Sequence, residues 1–303
     1  MEHTSEYLIH RLPSNYTVVR ELGRGNFCTV YLCKVTSPSS SSPESIAGDH
    51  DENIKSHPVE SFAAVKIVRE HQEEVKKWTA RETEVLKIIQ EESEEKFKKI
   101  FPQILSFDPD HLWLAMTAFT TSKTLAAMEL FCMENQRTIP EGLLLHIFSE
   151  QKAAVDFLHQ QCNVSHGDLQ LGNVLLDYSE RSSSAFPQIF LIDFALSKQL
   201  SDQKGIEQGH DVLDRSRVCL HIRTLFNRGR ICSVLEPQDS HATCSHSEAW
   251  KLFMEFLRKV GISSPLKEAW EKLGICAEVG KSSISEVAMH EVSSFVADFA
   301  ASP

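Results

Sequence analysis

No stretch of this 303-residue chain approaches the roughly 20 consecutive apolar residues that cross a bilayer. The opening Met-Glu-His-Thr-Ser-Glu lacks the basic-then-apolar pattern of a secretory leader. Work away from membranes, in the cytoplasm or nucleus, is the expectation. A basic surplus is also missing: 31 Lys and Arg face 42 Asp and Glu, a formal net charge of -11. Phosphate backbones demand basic patches, so no nucleic-acid partner is expected. Eight cysteines are scattered at 28, 33, 132, 162, 219, 232, 244 and 276 without a C-x-x-C pair, which suits reduced thiols rather than a disulfide framework. His241, Cys244 and His246 lie close together, but no second ligand cluster accompanies them, and a polar loop is the simpler reading. Asn15-Tyr16-Thr17 fits a glycosylation pattern that, without a leader, reads as a strand entry.

What is present is an ordinary globular composition, 42% hydrophobic, on a chain long enough for two lobes. Alternating apolar residues predict strands at Tyr16–Val18, Val30–Leu32, Phe62–Val68, Ile104–Phe107 and Leu112–Met116. Residues 36–61 form a Ser/Pro/Asp-rich insert that cannot bury much apolar surface, so disorder is expected there. A helix is predicted over 72–90, followed by a solvated charge run at 91–99. A strongly amphipathic helix follows over 143–161, with Leu144, Ile147, Phe148, Val155 and Leu158 on its buried face. Ser179 to Pro187 reads as a second small insert. Asp211 to Phe226, Trp250 to Val260 and Ser285 to Phe299 have helical character. The pattern predicts an α+β protein with a small β-rich N-lobe over about 16–118, a mainly helical C-lobe over about 119–303, and residues 1–15 as an extension.

The chemistry concentrates in His166-Gly167-Asp168-Leu169-Gln170-Leu171-Gly172-Asn173-Val174-Leu175-Leu176, followed by Asp193-Phe194-Ala195. Asp168 and Asn173 are close enough for one tight loop to aim both into a common site. One Asp near an attacking hydroxyl, with an Asn and a second Asp as hard oxygen donors for Mg²⁺, is how phosphoryl-transfer sites are built. This segment resembles the catalytic loop and metal motif of the protein kinase superfamily, H-R-D-x-x-x-x-N and D-F-G. The resemblance extends upstream. Leu22-Gly23-Arg24-Gly25-Asn26-Phe27-Cys28 is similar to the glycine-rich loop, whose glycines would let the backbone turn sharply and approach phosphates, with Cys28 at the third glycine's place. Ala64-Val65-Lys66-Ile67 is similar to the strand that carries the family's lysine, and Glu82 stands where its partner glutamate would, with Glu84 the competing choice.

The resemblance implies a bilobal protein kinase-like fold with ATP and Mg²⁺ as cofactors and a protein substrate. It implies roles as well. Asp168 would orient or deprotonate the acceptor hydroxyl, Asn173 and Asp193 would hold metal, and Lys66, held by Glu82, would position the phosphates. Leu22, Gly23, Gly25, Val30 and Ala64 would cover the nucleotide, Met116 would guard the back of its pocket, and Leu175 would lie beneath it. Leu86, His166 and Phe194 would stack in an internal column. After Asp193 the resemblance becomes partial. No A-P-E ends the following segment, and an acidic residue, Asp214 or Asp211, would anchor the catalytic loop only a short way on. This brevity, and H-G-D in place of H-R-D, resemble the compact RIO and haspin-like kinases, with a shortened C-lobe that a protein partner could support. Gly167 removes the arginine that would read a phosphorylated loop. Gln170 takes the place of the lysine that steadies the γ-phosphate, and Ala195 that of the motif's glycine. A serine/threonine protein kinase is the leading expectation, with an inactive scaffold and a small-molecule kinase as alternatives.

Overall fold

The computed structural model describes residues 12–36, 61–69, 73–92, 97, 99–110, 112–178, 186–200, 209–228, 246–260 and 266–303. Most of the 36–61 insert, nearly all of the 179–187 insert, and His241 and Cys244 therefore lie outside the described residues. The chain divides into two compact units. Met1–Thr83 with Gln103–Ala118 forms the first, and Glu84–Pro102 with Phe119–Pro303 the second.

The first unit is built on a five-stranded antiparallel sheet. Its strands are β1 (Tyr16–Arg24), β2 (Cys28–Val35), β3 (Ser61–Val68), β4 (Ile104–Phe107) and β5 (Trp113–Thr117), in the order β1-β2-β3-β5-β4. Side chains alternate between faces along a strand. One face packs Tyr31, Cys33, Ala63, Val65, Ile67, Trp113 and Ala115 into a core, with Tyr16 and Val18 of β1 against it. The Tyr16 hydroxyl hydrogen-bonds Ser106 Oγ at 2.6 Å. The other face carries Val30, Ala64, Lys66, Leu114 and Met116, because Val30 and Leu114 pair across from Lys66, and Met116 pairs across from Ala64. Helix α1 (Glu73–Glu92) begins in this unit and continues into the second.

The second unit is mainly helical, with α2 (Leu125–Asn135), α3 (Glu141–Gln160), α4 (Gly209–Arg228), α5 (Glu248–Lys259), α6 (Leu266–Ser282) and α7 (Glu286–Ala301). The central α3 buries Leu144, Ile147, Phe148, Val155 and Leu158, each no more than 1% exposed, as its periodicity predicted. The sequence did not reveal α6. Its Gly280 lies so close to α3 that a Cβ would meet Leu145 Cδ1 at 2.6 Å, so a residue that weakens a helix is the one that fits. A small sheet of β6 (Ser122–Thr124), β8 (Val174–Asp177) and β9 (Gln188–Leu191) runs in the order β6-β8-β9, while β7 (Val164–Ser165) pairs with β10 (Lys198–Gln199). These two short ladders fix both ends of the His166–Asp168 and Asp193–Ser197 segments. No cysteine among the described residues forms a disulfide, and burial pushes the thiols of Cys33 and Cys132 up to about 11. Among the described residues no helix is long and apolar enough to cross a membrane.

Candidate active site

In the first unit, Lys66 lies in the middle of β3 and is 8% exposed. An ammonium there is costly unless paired. Its Nζ donates to Glu82 Oε2 at 2.7 Å, and Glu82 is 1% exposed. Glu84, the competing choice, faces solvent on α1, since two residues along a helix turn a side chain to another face. Val30, Ala64 and Met116 share the Lys66 face. Gly23, directly opposite Val30 on β1, adds no side chain to it.

The glycine-rich segment differs from expectation. Gly23 is inside β1, and neither it nor Gly25 has the positive φ that only glycine adopts readily. The turn between β1 and β2 is closed by the Gly25 N–H donating to the Cys28 carbonyl at 2.9 Å, and glycine is not what permits it. What both glycines leave is room: a Cβ on Gly23 would meet nothing within 4 Å, and one on Gly25 only the Cys28 carbonyl at 3.7 Å. Leu22 beside them is 37% exposed.

In the second unit, β7 delivers the chain to His166, and a 3₁₀ turn over Leu171–Asn173 returns it into β8. Asn173, 7% exposed, donates through Nδ2 to the Asp168 carbonyl at 2.8 Å and to Asp168 Oδ2 at 3.2 Å. That commits its amide hydrogens and turns Oδ1 away from Asp168. Gln170 Nε2 donates to the same Oδ2 at 3.3 Å. Burial, and then the nearby Asp193 carboxylate, raise the Asp168 pKa, while His166, Asn173 and Arg217 act against the rise. Two carboxylates that penalise each other's charge are a natural seat for a cation. Among the described residues no group of three or more His, Cys, Asp or Glu side chains gathers for a metal. Mg²⁺ does not need one, because it uses one or two carboxylates with water and phosphate oxygens. Asp193 and the Oδ1 of Asn173 fit that donor set.

Three backbone features hold this loop. Gly167 has φ +79°, and a Cβ on it would meet the Leu196 carbonyl oxygen at 2.3 Å. Glycine is therefore required here by shape, a reason that loss of an arginine does not supply. Asp193 has φ 68°, a left-handed conformation that Asp tolerates better than most residues but which still stores strain. Ala195 has no positive φ, so replacing the motif's glycine costs the backbone nothing. The fully buried Asp214, on α4, accepts from the His166 N–H at 2.8 Å and the Gly167 N–H at 3.0 Å, and bonds His159 Nε2 at 2.9 Å. Of the two acidic candidates it is the anchor, while Asp211 pairs with Arg215 at 3.6 Å. His166 is kept neutral by burial, which lowers its pKa; Nε2 donates to the Ile192 carbonyl at 3.1 Å, and its ring lies 4.7 Å from that of Phe194. Leu86 is fully buried in the same unit, and Leu175 is half-buried on β8. His246, one of three possible metal ligands in sequence, instead meets Glu141 at 3.2 Å. Sequence reasoning missed Arg217 and His221, whose nearness to the loop depends on how α4 packs.

The sequence profile of the protein kinase domain matches residues 52–214, more than half of the chain, from before Lys66 to Asp214. The solved BubR1 kinase domain is similar with a TM-score of 0.61 over 97% of this chain and 95% of that chain; at 16% identity the likeness is one of fold. No curated protein sequence matches the chain. The α+β architecture, a sheet-rich N-terminal part and a helical C-terminal part, is the bilobal kinase-like fold. With the lysine–glutamate pair, the Asp–Asn loop and the Asp-Phe pair all lying within the matched segment, the chain belongs to the protein kinase family.

Proposed function

We propose that the chain is an ATP- and Mg²⁺-dependent protein kinase of the compact type, acting on serine or threonine of a protein substrate. The buried Lys66–Glu82 pair supports this most. A buried ion pair adds little stability compared with apolar residues of similar size, so its presence in the middle of β3 is better explained by a ligand that needs the charge. Lys66 would hold the α- and β-phosphates, and Glu82 would fix its ammonium. The open space at Gly23 and Gly25 would admit phosphate, and Leu22, Val30, Ala64, Met116 and Leu175 would enclose the base. Asn173 and Asp193 would hold Mg²⁺, which supplies charge neutralisation on the phosphates when bound. Asp168 would take or orient the acceptor's proton, its raised pKa bringing it closer to that task. Catalysis is then positioning and charge stabilisation. The domain would run from 16 to 303, with 1–15 as an extension and 36–61 as an insert. We place its work in the cytoplasm or nucleus, with a protein partner for the shortened C-lobe.

A second reading, a nucleotide-binding scaffold without turnover, is favoured by Gln170, whose neutral amide occupies the loop lysine's place. The full chain incubated with γ-labelled ATP, Mg²⁺ and generic protein acceptors decides between them. Acid-stable label on serine or threonine that vanishes in Asp168→Ala is the expected result. Intact ATP binding without transfer would favour the scaffold, and transfer only to small alcohols or amines would make the acceptor a small molecule.

A further inference from the structure

The loop that carries Asp168 lies along one stripe of α4. Asp214, Arg217 and His221 are spaced i, i+3, i+7, so their side chains leave the helix on one face. Asp214 binds the backbone of His166 and Gly167. His221, two turns further on, faces the Leu169 backbone and bonds Gln151 Oε1 through Nδ1 at 2.8 Å. Arg217 lies between them on the same stripe of the helix. Its charge acts on Asp168 on one side and on His221 on the other. It is exposed, and no carboxylate among the described residues forms an ion pair with it. Within reach of the same Asp168, Gln170 brings only a neutral amide.

We infer that Arg217 supplies the positive charge that Gln170 leaves missing, its guanidinium contacting the phosphoryl group as it passes from ATP to the acceptor. The inference rests on the phosphotransferase reading. In that step the acceptor oxygen bonds to the γ-phosphorus as the bond from that phosphorus to the β,γ-bridging oxygen breaks. The bridging oxygen leaves on ADP with the electron pair, and the acceptor's proton passes to Asp168. Charge accumulates on the oxygens of the moving phosphoryl group, and a guanidinium beside them matters more there than in the ground state. A planar, always-charged fork suits this better than an amide.

The test compares the full-length wild type with Arg217→Ala, Arg217→Lys and the double variant Arg217→Ala/Gln170→Lys. Arg217→Ala is expected to lower kcat by about 10²–10³-fold while the KM for ATP stays within about threefold. Its affinity for ADP with Mg²⁺ and aluminium fluoride, a mimic of the moving phosphoryl group, should fall while affinity for ADP alone does not. Arg217→Lys should retain part of the activity, and Gln170→Lys should restore much of it to the alanine variant by placing a cation where the amide now reaches Asp168. Melting temperatures identify any loss that is merely unfolding. An Arg217→Ala protein with wild-type kcat and wild-type affinity for the mimic overturns the inference and leaves the kinase reading standing. A wild type without Asp168-dependent transfer overturns both.

Discussion

At the residue scale, Gly167 is held by two independent constraints, a positive φ and a carbonyl oxygen where a Cβ would stand. Gly167→Ala is expected to cost about 3 kcal/mol, from the left-handed backbone and the clash together, and Gly167→Arg no less. Urea unfolding would measure it, and a loss below about 1 kcal/mol would mean the loop adapts easily. Restoring the family's arginine should therefore not create a reader of phosphorylated loops; it should break the segment. Lys66 and Glu82 make a different prediction. Glu82→Leu alone removes the carboxylate 2.7 Å from a buried ammonium and should cost about 3–5 kcal/mol, whereas Lys66→Met/Glu82→Leu should recover most of that loss and still abolish ATP binding. A double variant no more stable than the single one would contradict the view that the pair is kept for function.

At the element scale, α4 organises the catalytic segment through one side chain. Asp214→Ala would strand the buried His166 N–H and His159 ring and the half-buried Gly167 N–H with no acceptor, and should cost about 3–5 kcal/mol by urea unfolding. A cost near 1 kcal/mol would show that water replaces the carboxylate. The sequence left Asp211 and Asp214 open because both precede the same apolar helix, and only the packing of α4 decides which points inward. The strands and α3 were legible because their periods of 2 and 3.6 follow from being buried on one face. Helix α6 was not. Ile275 and Val279 are 66% and 55% exposed, and Gly274 and Gly280 interrupt it, so its stripe is blurred. The candidate site residues were legible as types at spacings, and Glu82 over Glu84 then follows from burial. The reason for Gly167 was not legible, because Leu196, just before β10, meets it only once β10 has paired with β7.

At the scale of the whole molecule, buried histidines tie stability to pH. His146 and His221 are both lowered to about 4, in each case chiefly by burial. His146 Nε2 bonds the Pro187 carbonyl at 2.8 Å and its ring stacks on Phe186, while His221 bonds Gln151. The unfolded chain takes up protons near pH 6.5 and the folded one only near 4, so the unfolded state binds more protons between those values. Stability contributed by neutral rings is complete above pH 6.5 and is lost as pH falls towards 4. At pH 5 the two should together remove about 4 kcal/mol relative to pH 7, readable as a lower urea midpoint. A midpoint that stays flat from pH 7 to 5 would contradict these environments.

Family membership is carried by residues 52–214 and the fold by nearly the whole chain, but the proposed phosphate transfer would stand on few atoms, and Asp168 is the one whose loss would separate chemistry from binding. The most direct measurement is single-turnover phosphate transfer by wild type and Asp168→Asn, with Mg²⁺·ATP affinity measured on the same samples. Transfer is expected to fall by about 10²–10⁴-fold while ATP affinity changes by no more than a few-fold. Equal transfer by the two proteins would contradict it.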